Sequence, residues 1–135
     1  MLADTSAWHR SAAPQVAGVW RHYLEEDRIA TTTPIRLEVL YSARSAADYE
    51  AVARELDALH QLPCGEEALQ RALEVQAALA KHKPLHHRIP VPDLIIAAVA
   101  ELAGAIVWHY DQEYERIAQV TGQPIQWIAR RGTIS

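Results

Sequence analysis

Runs of apolar residues along the chain change period from strand-like to helix-like several times. Met1-Leu2-Ala3-Asp4 is a very short apolar lead, readable as a strand if Thr5-Ser6 turns the chain into a helix. Behind Pro14, which suits a first turn, Val16, Val19, Trp20, Tyr23 and Leu24 recur at helical spacing. Ile29 to Thr33 is rich in β-branched residues and predicts a second strand, after which Thr33-Pro34 starts a helix through Ile35 to Arg44. Asp48 opens another helix with an apolar face of Tyr49, Val52, Leu56 and Leu59, ended by the turn Pro63-Cys64-Gly65. Glu66 to Lys81 continues as helix, and His82 to Pro92, with three prolines and no periodicity, is a loop. Asp93 to Ala103 is apolar on nearly every side, as a helix packed against a sheet would be. Gly104 stops it; Ala105 to His109 then predicts a buried strand, Asp111 to Thr121 a helix, Ile125 to Ile128 a last strand, and Arg130 to Ser135 a solvated tail.

Strands alternating with helices imply an α/β fold, with a parallel sheet, right-handed crossovers and a site at the carboxyl edge of the strands. With 135 residues, half of them hydrophobic, the chain is expected to form a single domain over 1–135. Its one cysteine, Cys64, closes no intramolecular disulfide, and Met1 to Arg10 lacks a charged n-region followed by an apolar h-region. The apolar stretch from Leu94 to Trp108 is broken by Glu101 and Gly104 and falls short of a membrane span. A cytoplasmic protein without a membrane partner is expected. The formal charge of −4 argues against gripping nucleic acid by bulk electrostatics, so any RNA contact must be local. Carboxylates gathered around metal ions would be partly neutralised, so the sign decides little alone.

Four acids interrupt or close apolar runs: Asp4 after the first strand, Glu38 within Ile35-Arg36-Leu37-Glu38-Val39-Leu40, Asp93 before Leu94-Ile95-Ile96, and Asp111 after Ile106-Val107-Trp108. Each has an ordinary role available. Asp4 and Asp111 are acceptable strand-end or helix-cap acids, Asp93 an N-cap, and Glu38 a partner for Arg36 or a solvent-facing residue. Together they favour a metal, because a buried ionised carboxylate without a partner costs several kcal/mol, roughly, and all four would converge on one strand edge. Oxygen-only ligands suit Mg²⁺, with Mn²⁺ able to substitute, rather than zinc. Glu113, two residues beyond Asp111, is a further candidate ligand.

Asp4-Thr5-Ser6-Ala7, Leu37 to Ala43, Pro92 to Ala98 and His109 to Ile117 occur in order, and each resembles a signature block of the VapC-type PIN family. The resemblance spans essentially the whole chain. It implies a PIN-like three-layer α/β/α fold, a small parallel sheet flanked by helices. It also implies the toxin of a type II VapBC toxin–antitoxin pair: an endoribonuclease that hydrolyses RNA with a metal-activated water and is inhibited by a VapB-type antitoxin. The family's acids fall on Asp4, Glu38, Asp93 and Asp111, with Thr5 or Ser6 as a supporting hydroxyl. A homodimer is implied too, in keeping with the apolar helices around Val16 to Leu24 and Tyr49 to Leu59. The family usually carries a few more residues before the first aspartate, which implies a clipped first strand or a misplaced start codon. Where many relatives have an Asp-Phe pair, Glu113-Tyr114 stands here.

The densest basic cluster, Lys81, Lys83, His86, His87 and Arg88, precedes Asp93 and is placed to touch RNA phosphates, as is Arg36; a solvated loop explains the cluster equally well. His86 and His87 lack zinc-like spacing. Trp8, Trp20, Trp108 and Trp127 fit core or interface packing better than base stacking. Two rival functions remain: a phosphoryl acceptor, which lacks its usual lysine or Asp-x-Asp pair here, and a non-catalytic PIN-like interaction module that uses the acids only structurally.

Overall fold

The computed structural model describes residues 1–134; Ser135, the end of the expected tail, lies outside them. The elements in chain order are β1 Leu2–Ala3, α1 Thr5–Trp8, α2 Ala17–Glu25, β2 Ala30–Thr31, α3 Thr33–Tyr41, α4 Ala46–Asp57, β3 His60–Gln61, α5 Glu66–His82, α6 Val91–Ala103, β4 Val107–His109, α7 Glu113–Thr121 and β5 Ile125–Trp127. Five parallel strands form one sheet in the order β3-β2-β1-β4-β5. The expected α/β sheet with flanking helices is therefore present. Strand order reverses between β1 and β4: the chain leaves β1 toward β2 and β3, then returns to β4 and β5. The loops after β1 and β4 consequently diverge and leave a crevice at their carboxyl ends.

Hydrophobic burial explains why such short strands hold. Leu2 and Val107, paired across β1 and β4, are fully buried, as is usual where helices cover both faces of a parallel sheet. The predicted central helix is α6, in which Leu94, Ile96, Ala97, Ala98, Val99 and Ala100 are buried. It begins at Val91, earlier than expected, because Pro92 is pre-set for the first helical turn. Gly104 ends it at φ +66°, a left-handed conformation that a Cβ would strain. Gln123 ties the turn before β5 to this helix by donating to the Ala97 carbonyl at 2.9 Å.

Three of the four tryptophans pack together, as the sequence predicts. Trp20 stacks on Trp108 at 5.5 Å, and Trp8 meets Trp20 edge-on at 5.7 Å. The two helices read as carrying surplus apolar surface line a shared cleft of about 600 Å³, with Trp8, Trp20, Leu24, Ile29 and Leu59 on its walls. One strand was not expected: His60–Gln61 lies where the helix and its terminating turn were predicted. Pairing with β2 holds it, and Gln61 donates to the Leu56 and Leu59 carbonyls. The tail is also not free. Ile134 N–H donates to the Tyr110 hydroxyl at 2.8 Å, and the Arg131 guanidinium lies over Trp127 and binds Gln112.

Candidate active site

The four acids are delivered to the crevice by the elements around it. Asp4 follows β1 and caps α1; its buried carboxylate accepts from the Ser6 N–H at 3.0 Å and the Ser6 hydroxyl at 2.5 Å through Oδ2. Its Oδ1 accepts from the Tyr114 hydroxyl at 2.6 Å. Glu38 lies in the second turn of α3, half-buried, and accepts from the Thr5 hydroxyl at 2.9 Å rather than pairing with Arg36. Asp111 follows β4, and its Oδ1 accepts from the Glu113 N–H at 3.0 Å. Asp93 is 8% exposed. It does not cap α6, for Pro90 holds that position and Asp93 lies inside the first turn.

Electrostatics records how near these groups are. Asp93 is pushed up from an ordinary 3.8 to about 8, first by burial and then by Asp4, Asp111, Glu38 and Glu113. Each acid expected at the site therefore acts on the same carboxyl. The Tyr114 phenol is pushed up by burial and by Asp4, so it remains a donor at neutral pH. His109, fully buried on β4, is pushed down by burial. Its Nδ1 accepts from the Asp111 N–H at 3.1 Å, which turns the chain after β4 toward the crevice.

The hydroxyls are committed to the acids. Thr5 donates to Glu38, while Ser6 donates to Asp4 and accepts from the Tyr110 N–H at 2.9 Å. Through these bonds the two hydroxyls orient the carboxylates that accept from them. Among the described residues, no three His, Cys, Asp or Glu side chains close on one point as a ready-made cage. An all-oxygen cluster still fits Mg²⁺, which keeps several waters and usually takes only one or two carboxylates.

The expected basic contacts divide. Arg36 is bound to Asp57 and Gln61, so it clamps α3 to α4 and β3. Lys81, Lys83 and Arg88 are exposed and make no ion pair among the described residues. On the loop that follows α5, burial and then Arg116, Lys83 and His82 push His86 down, while Glu113 opposes them. Sequence reasoning missed Tyr114 and His109 as parts of the site. The available signal was a tyrosine inside an apolar helical face, whose hydroxyl must find a partner when buried.

The PIN domain model matches residues 1–120. The chain belongs to the PIN-domain family. Ribonuclease VapC18 of Mycobacterium tuberculosis is 54% identical over 97% of this chain and 96% of its own length. Ribonuclease VapC21 of the same species is 40% identical over 98% and 96%. In fold, this PIN domain matches a chain from the DNA-bound VapBC of Salmonella typhimurium with a TM-score of 0.76 and 22% identity, over 96% of this chain and all of that one.

Proposed function

We propose that this PIN domain is the toxin of a VapBC pair, a divalent-metal-dependent endoribonuclease restrained by a VapB-type antitoxin. The observation that carries the catalytic half is the convergence of Asp4, Glu38, Asp93 and Asp111 where the strand order reverses, registered in the response of Asp93 to all the others. The relatives named as ribonucleases, alike over nearly their whole length, support the substrate class. The structural neighbours, which are chains of VapBC complexes, support the partner, and the largely apolar cleft between α2 and α4 offers it a seat.

Asp4, Glu38, Asp93 and Asp111 would hold Mg²⁺, or Mn²⁺ in its place, with Glu113 assisting Asp111. When bound, the ion activates water and offsets charge on the scissile phosphate. The protein's own part is orientation. Ser6 and Tyr114 fix Asp4, Thr5 fixes Glu38, and the α7 N-terminus fixes Asp111. As a ligand, Asp93 would serve in its ionised form, which a bound cation would favour. Lys81, Lys83 and Arg88, all exposed, would meet RNA phosphates.

The test uses the purified chain and RNA. Cleavage is expected with Mg²⁺ or Mn²⁺ and is lost in EDTA and in Asp4→Asn. A folded wild-type chain that leaves RNA intact under all conditions would point instead to a non-catalytic interaction module.

A further inference from the structure

Three donors surround the Asp4 carboxylate, and none of them is a cation. Oδ2 accepts two hydrogen bonds, from the Ser6 N–H and the Ser6 hydroxyl. Oδ1 accepts one, from Tyr114 at 2.6 Å. A carboxylate oxygen has two lone-pair directions, so Oδ2 is filled and Oδ1 keeps one. Asp4 therefore has a single position to offer a metal ion, on the oxygen that Tyr114 already holds. The Ser6 hydroxyl cannot turn away, because it accepts the Tyr110 N–H at 2.9 Å and so aims its own proton at Asp4.

We infer that Tyr114 is a positioning residue for Asp4, fixing the direction in which Oδ1 presents its remaining lone pair to a divalent cation. Tyr114 is fully buried in α7, its ring packs on His109 at 5.2 Å, and its hydroxyl reaches across 110 positions of sequence. The phenol thus has one orientation available, and its short bond to an anion is of the strong, charge-assisted kind. Groups that orient a metal ligand from behind typically alter metal affinity or activity about 10- to 100-fold when removed. Serving only to satisfy a buried hydroxyl would leave metal affinity unmoved.

This inference rests on Asp4 being a metal ligand, and the experiment separates the two. Mn²⁺ is titrated into the full-length wild type, Tyr114→Phe and Asp4→Asn, and free ion is followed by electron paramagnetic resonance. Tyr114→Phe keeps the ring and is expected to bind Mn²⁺ about tenfold more weakly. With saturating metal its kcat for RNA falls while KM holds. Wild-type affinity in Tyr114→Phe, even with a lower melting temperature, would reduce the phenol to packing; tighter binding would show that it competes with the ion. Undiminished binding by Asp4→Asn would instead overturn Asp4 as a ligand. If Tyr114→Phe does not fold, ¹³C-labelled tyrosine in the wild type decides: the Tyr114 Cζ resonance is expected to shift on Mg²⁺ addition, and no shift at saturation overturns the inference.

Discussion

Replacing Asp93 with asparagine removes a proton-binding site from the crevice while nearly preserving its shape. In the metal-free protein this carboxyl releases its proton at about 8, against an ordinary 3.8 in an unfolded chain. The folded state therefore binds the proton more tightly, and stability from this group falls as pH rises from about 4 to about 8. At pH 7 the folded protein holds the proton roughly three pH decades above the point at which the unfolded chain releases it. At about 1.4 kcal/mol per decade, that costs on the order of 4 kcal/mol as an upper bound. Asp93→Asn carries no such penalty. In EDTA at pH 7 it is expected to melt higher than wild type, by roughly 15 °C at most, and the gap should narrow toward pH 4. Mn²⁺ should reverse the order, stabilising wild type more than the variant. The assay is a set of thermal melts at several pH values, with EDTA and with Mn²⁺. An Asp93→Asn protein less stable than wild type in EDTA at pH 7 would refute the repulsion and burial argument.

Two further outcomes are expected. Cleavage should leave a 5′-phosphate and a 3′-hydroxyl, the products of attack by the metal-activated water proposed above; end-labelling that finds a 2′,3′-cyclic phosphate, the mark of attack by the RNA's own 2′-hydroxyl, would contradict hydrolysis. The exposed Leu37, Tyr41, Leu69 and Leu73 on α3 and α5 favour a homodimer, and sedimentation showing only monomer at micromolar concentration would remove that expectation.

The sequence exposed the acids because each breaks an apolar run, and the runs themselves located β1, β2, β4, β5 and the main helices. It did not expose β3, since His60 and Gln61 are polar and exposed and become a strand only by pairing with Ala30 and Thr31. Nor did it reveal the Arg36 clamp, whose partner Asp57 lies one helix away. Tyr114 and His109 read as core aromatics, and they are core; what composition cannot show is that their polar atoms point at Asp4 and the Asp111 backbone.

The central strand is made from the first residues of the chain, while the strand beside it and the hydroxyl that secures Asp4 come from the last third. At about 5–20 residues per second, Asp4 leaves the site of synthesis roughly 5 to 20 seconds before Tyr114 exists. Until β4 arrives, no crevice can form and the acids cannot meet. A nascent chain is consequently harmless to the RNA around it for most of its own translation, and its destructive capacity appears late and all at once. For a protein that cuts RNA, this delay gives a restraining partner time to be on hand before there is anything to restrain.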